Sequence, residues 1–436
     1  MRVRQKGNGM KKQWMPLDNA ALIFPAVRRQ TWVNVFRMAV TLPDDVDPAI
    51  LQRAVNDLKP RFPSIYVHLG TGLFWYFLEE VSAPPKVRRD YAYPLTHMGA
   101  RELRTCCFRV LYYKNRIAVE FFHSLADGNG GAVFMKTLAA RYITLRYGAE
   151  IPAENGVLDI NDPPSPSELE DSFQRSSGEF TMSRAEDTAY RLRGTPELSG
   201  FLHLTTGIVH TPDLLSAAHQ YHATVTAFIC AVMAEVIIGI QAEKVPLRRQ
   251  KPVKITIPVN LRTIFGGDTL RNFVAVINQG VDPRLGPYTL DELCREFTHQ
   301  MAVEITPQKM AARVAANVKP QNKAVMRGAP LFVKNAAMRM VYSFVGESKG
   351  CLNVSNLGQV KLPKAMMPFV RRFEFIIGVQ YSYPNNCSIV SCGDVTCINM
   401  IRNIEEPELE RRFFSRLVEL GVPVSIESNY KHEIEA

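Results

Sequence analysis

The stretch Ala118–Leu138, AVEFFHSLADGNGGAVFMKTL, dictates a strand, a tight turn and a helix in immediate succession. An apolar and aromatic run stops abruptly at His123, Asp127 follows four residues later, and Gly128-Asn129-Gly130-Gly131 come next. Val133, Phe134, Thr137, Leu138, Arg141 and Tyr142 then recur at helical spacing, and Gly148 supplies a C-terminal stop. Upstream, CCFRVLYYKNRIAVEFFH reads as a hairpin turning at Lys114-Asn115. The pattern therefore puts a histidine at the end of a buried strand, on a loop that enters a helix. Burial keeps an imidazole neutral, and a neutral imidazole is a general base. Asp127 has two functional readings: it orients the ring, or it pins the loop by pairing with a distant arginine. A third reading makes His123 an ordinary core residue, with Asp127 or Asn129 only capping the helix. The glycines permit a tight bend and the close approach of a ligand.

A chain of 436 residues exceeds one ordinary core and fits two domains or one large double domain. The first half mixes strands and helices. TWVNVFRMAVTL (31–42) reads as a strand, and DVDPAILQRAVNDLKPRFPSI as a helix capped by Asp47, with Pro48 at its first position. Residues 149–197 turn polar and rich in Pro and Ser, which marks a connection. Beyond it, strand patterns (FLHLTTGIVH, VKITIPVNLR, NFVAVINQGVD, CLNVSNLGQVKLP, RRFEFIIGVQYS, CSIVSCGDVTCINMI) are interleaved with helical ones. The helical ones are TPDLLSAAHQYH, ATVTAFICAVMAEVIIGI, TLDELCREFTHQMAVEI, NKAVMRGAPLFVKNAAMRMVYSF and EPELERRFFSRLVELG. We divide the chain into a first half at 1–160, a connecting segment at 161–198 and a second half at 199–436.

Several classes of function are set aside. Net charge is +10, which favours anionic partners such as phosphorylated cofactors, but the basic residues do not cluster as a nucleic-acid footprint does, so no nucleic-acid partner is expected. The basic start MRVRQKGNGMKKQ is not followed by a clean apolar segment, and TAFICAVMAEVIIGI is too short for a membrane span and carries Glu235. A cytoplasmic protein with no transmembrane segment is expected. Eight cysteines do not make a disulfide scaffold at this length. Cys387, Cys392 and Cys397 lie in a β-rich run with no paired C-x-x-C, and His219 and His222 have no acidic third ligand, so no metal is expected. Neither G-x-S-x-G, a P-loop nor a Rossmann fingerprint is present.

His123-Ser124-Leu125-Ala126-Asp127-Gly128 resembles the H-x-x-x-D-G signature of the acyl-CoA-dependent acyltransferase superfamily. That superfamily includes chloramphenicol acetyltransferase, non-ribosomal peptide condensation domains and alcohol acetyltransferase-like proteins. LDNAALIFP, DPAILQRAVNDLKPRFPSI, ATVTAFICAVMAEVI, PVNLR with TLRNF, and VSNLG occur in the order of the alcohol acetyltransferase-like branch, so the resemblance covers nearly the whole chain. It implies an α/β (α+β) fold of two chloramphenicol-acetyltransferase-like mixed-sheet subdomains with a tunnel between them and the histidine at its middle. His123 would be the general base. Asp127 would be structural and pair with an arginine of the second half. Arg262 is the candidate, although its segment reads Asn260-Leu261-Arg262 where relatives of the plant branch have D-x-R. Gly128 would leave room for substrates. Ser355 and Asn356 would be oxyanion donors on the tunnel wall or, equally, shape a bend before Gly358. Asn272, by its position, lines the site or caps a turn, the turn being the simpler reading. No D-F-G-W-G segment is present, which argues against the plant branch. The implied reaction moves an acyl group, acetyl in the simplest case, from acyl-CoA (acetyl-CoA) to a small-molecule alcohol or amine. Two rivals stand beside it: a condensation-like enzyme fed by an acyl-carrier protein, and a catalytically silent binding module on the same scaffold.

Overall fold

The computed structural model describes residues 14–27, 34–91, 93–181, 186–321, 328–341, 348–380 and 383–429. The basic start at 1–13 and most of NKAVMRG lie outside the described residues.

Alternation along the strands builds the first sheet. Phe36, Met38 and Val40 share one face of Val35–Thr41, while Arg37 shares the other with Ala39. The neighbouring Arg116–Phe122 repeats the pattern, and the register sets Arg37 opposite Glu120. One face is thus apolar and takes the helix Gly128–Tyr147. The other buries charge: Arg37 Nη1 lies 3.1 Å from Glu120, Arg37 also pairs with Asp90, and Arg109 Nε lies 3.0 Å from Glu120. Charges this deep are tolerated because each is matched by an opposite one. The five strands run in the order Arg372–Ile377, Val35–Thr41, Arg116–Phe122, Phe108–Tyr113, Arg88–Arg89. The hairpin turns at Lys114-Asn115, with Lys114 in the left-handed region (φ 47°).

The second sheet has seven strands in the order Val274–Val281, Val253–Asn260, Leu352–Gln359, Asn385–Cys392, Val395–Arg402, His203–His210, Ser425–Ser428. Leu352–Gln359 runs parallel to both its neighbours and the other pairs are antiparallel. A separate core lies between this sheet and the helices Val225–Lys244, Leu290–Glu304 and Glu408–Glu419. Val225–Lys244 has 20 residues and a mean hydropathy of 2.0, long and apolar enough by length and composition to cross a membrane, where the sequence pattern had suggested too short a segment. In this fold it is a core helix, and its Glu235 pairs with Arg416 (2.9 Å).

One strand ties the two sheets together. Arg372–Ile377 comes from the second half of the chain yet pairs along its length with Val35–Thr41. The carbonyl of Phe375 accepts from Ser388 Oγ (2.6 Å) and Asn399 Nδ2 (3.0 Å) of the second sheet. A mixed α/β architecture of two sheet-centred bodies results. Asp127 and Arg262 meet where those bodies touch.

Candidate active site

His123 stands at the end of Arg116–Phe122 as the pattern requires, its backbone N–H donating to Asn34 O (2.9 Å). The ring stacks on Phe24 (centroids 4.4 Å apart, planes 16° apart) and meets Phe36 edge-on at 5.3 Å. The residue as a whole is half-buried. Burial pushes its pKa below the ordinary 6.5; its own backbone, the charge of Asp127 and the ring's hydrogen bond to Asn272 pull the other way without reversing the shift. The imidazole is therefore neutral at physiological pH.

Which nitrogen carries the proton follows from Asn272. His123 Nδ1 lies 3.1 Å from Asn272 Oδ1. Asn272 Nδ2 donates to the carbonyl of His123 (3.0 Å) and toward Asp18 Oδ2 (3.3 Å). Both partners of that amino group are acceptors, so the carboxamide has one sensible orientation, with oxygen toward the ring. Nδ1 is then the donor, and Nε2 keeps the lone pair a general base needs. Asp18 is fully buried. It accepts from Ala21 N through Oδ1 (2.7 Å), and Arg271 Nε lies 3.6 Å from Oδ2. Burial pushes its carboxyl up to about 6, with Arg271 opposing.

Asp127 does not touch the ring. Its Oδ1 caps the helix Gly128–Tyr147 by accepting from Asn129 N (3.1 Å) and Gly130 N (3.0 Å). Its Oδ2 accepts from Arg262 Nη1 (2.7 Å) and Phe273 N (2.8 Å). Arg262 in turn donates to Thr269 O from Nε (2.9 Å) and to Arg271 O from Nη2 (2.6 Å). Asn260, the residue standing where an acid was missing, accepts from Arg262 Nη1 at 3.2 Å. One buried carboxylate thus fixes both the loop after His123 and the segment 269–273 that carries Asn272. The capping and pinning readings of Asp127 are both realised. Asn272 is a site residue rather than a turn cap.

Glycine explains how the two segments come so close. A Cβ at Gly130 would lie 2.0 Å from Leu270 O. At Gly128 it would meet Phe375 Cζ at 3.2 Å and Leu357 Cδ1 at 3.3 Å, so the space beside Gly128 is bordered by protein rather than left open.

No protein-family model matches the sequence, and no curated protein matches it. Solved structures do. Polyketide synthase associated protein 5 from Mycobacterium tuberculosis is 16% identical, with a TM-score of 0.60 over 95% of this chain and 98% of that chain. TRI101 of F. graminearum, complexed with ethyl coenzyme A, gives 10% identity and a TM-score of 0.63 over 95% and 99%. The first condensation domain of the CDA synthetase gives 13% and 0.58 over 95% and 97%. The chain shares the fold of these three structures.

Within this fold the two oxyanion candidates separate. Asn356 is committed: its Nδ2 donates to Thr226 Oγ1 (2.9 Å) and its Oδ1 accepts from Gly358 N (2.8 Å). It shapes the strand end against the helix Val225–Lys244. Alternation turns Ser355 to the face opposite Asn356. Ser355 is half-buried, and its hydroxyl makes no hydrogen bond among the described residues. Among the described residues no group of three or more His, Cys, Asp or Glu could hold a metal. All eight cysteines are free and buried. A cavity of about 620 Å³ lies between the connecting segment and the second half, another of about 420 Å³ lies in the second half, and neither is lined by His123.

Proposed function

We propose that the protein is an acyltransferase in which His123 Nε2 removes the proton from an acceptor hydroxyl or amine as that atom attacks the thioester carbonyl of an acyl-CoA. The observation that carries this reading is the Asn272 bridge, which leaves a neutral imidazole with its proton on Nδ1 and its lone pair on Nε2. The new bond forms between acceptor oxygen or nitrogen and carbonyl carbon, and the carbonyl electrons move onto oxygen. Ser355 is the donor assigned to that oxyanion, a contact worth ~2.7–4 kcal/mol in comparable sites. Collapse breaks the carbon–sulfur bond, and the thiolate leaves with the proton held on Nε2. No acyl-enzyme is required. Holding the two reactants in line supplies several kcal/mol of the barrier reduction.

The neighbours support this choice of chemistry. One was solved with ethyl coenzyme A and another is a condensation domain. A carrier-bound donor is therefore the second reading, and the net charge of +10 suits either phosphorylated donor. A tunnel that brings donor and acceptor to His123 from opposite ends belongs to the proposal, as does the small-molecule acceptor. The experiment is a panel of alcohols and amines offered with acetyl-CoA, longer acyl-CoA and an acyl-carrier donor, with free thiol followed. Release with CoA thioesters that depends on acceptor supports the first reading. Release only from the carrier supports the second. No release with any donor contradicts both.

A further inference from the structure

The connecting segment does more than span the halves. Ala189 N donates to Ser348 O (3.0 Å), Tyr190 N to Pro252 O (2.8 Å), and Glu405 N to Thr195 O (3.0 Å), so the segment is laid across the ends of interior strands of the second sheet. It forms one wall of the 620 Å³ cavity, and the end of the helix Val225–Lys244 forms another. That volume suits a small molecule. The floor is apolar, with Leu192, Ile240 and Leu409 buried. The rim is cationic. Arg191, Arg193, Arg249 and Lys251 are exposed, and their side chains form no ion pair among the described residues. The acids at the rim are already committed: Glu408 to Lys244 (2.6 Å) and Glu406 to Thr195 N (2.9 Å).

We propose that this cavity is a second binding site, for a small phosphorylated molecule. The uncommitted guanidinium groups match phosphate in charge and in donor geometry. The apolar floor takes the body of the molecule. The site is separate from His123. It lies at the Val253 end of Val253–Asn260, and Arg262 follows the other end, about 23 Å away at ~3.3 Å per residue. It stands independently of the acyl-transfer reading.

The test is titration calorimetry of the full chain with ADP at about 0.15 M salt, where weak surface attraction is screened. ADP binds saturably, adenosine at the same concentration does not, and Arg193→Ala/Arg249→Ala weakens ADP at least about tenfold, a loss of about 1.4 kcal/mol. His123→Ala binds ADP as the parent does. The unliganded double variant melts with the parent, because exposed unpaired arginines contribute little to stability. If it does not, Lys251→Gln carries the same comparison. No saturable binding overturns the proposal, and so does ADP binding that survives these substitutions, which places ADP elsewhere on the molecule.

Discussion

In the proposed mechanism His123 serves as base only while Asn272 keeps its tautomer and its plane. Asn272→Ala removes the acceptor for Nδ1–H and the brace on the His123 carbonyl. We expect kcat to fall about 100-fold with KM little changed, since a small misplacement of a reacting group costs about that much. Steady-state kinetics on the best acceptor checks it, and an equal loss carried by KM would speak against a positioning role. The pH profile is a second test. Burial lowers the His123 pKa, so protonation, which destroys the base, sets in below 6.5. The acid limb of kcat/KM therefore bends below pH 6.5. A limb at or above that value contradicts the buried, neutral ring. His123 and Asp127 were legible because strand, turn and helix signals fall in one short stretch, and Arg262 because a resemblance pointed to it. Asn272 sits beside turn-like residues, which made a cap the simpler reading. Asp18 fell within the LDNAALIFP segment of the resemblance, but nothing in the sequence pointed to its pairing with Asn272, 254 residues away.

The loop and helix after His123 depend on glycine at one place above all. With Leu270 O only 2.0 Å from a built Cβ, Gly130→Ala must push the segment 270–272 away from the helix start. Destabilisation of about 3 kcal/mol or more is expected, measured by chemical denaturation, with activity lost further as Asn272 withdraws. Gly128→Ala meets the tips of flexible side chains and should cost less than half as much. Elements with strong periodicity were readable: Pro48–Leu58 with its Asp47 cap, the hairpin at 114–115, and Gly128–Tyr147 ending at Gly148. Those missed carry weak patterns. Pro307–Gln321 is rich in Ala, Lys and Gln, Ser425–Ser428 is exposed throughout, and Trp14–Pro16 is three residues long.

A buried ion pair joins the two sheet-centred bodies through residues 135 positions apart. Asp127 is 2% and Arg262 13% exposed at the side chain, so removing either partner strands a charge or a donor set. Asp127→Asn and Arg262→Ala should each cost about 3–5 kcal/mol. Together they should cost less than the sum by about 1–3 kcal/mol, read from a double-mutant cycle in urea. The resemblance conveyed a two-body plan, and the mixed sheets accord with it. It did not convey that Arg372–Ile377 crosses to the first sheet, since a strand's alternation says which face is buried and not which sheet it joins. The decisive measurement is acceptor-dependent thiol release from an acyl-CoA by the parent and by His123→Ala at pH 7. We predict release by the parent and a loss of 100-fold to 10,000-fold in the variant (on the order of what general-base catalysis supplies), with folding intact. Equal rates in the two proteins would contradict His123 as the base.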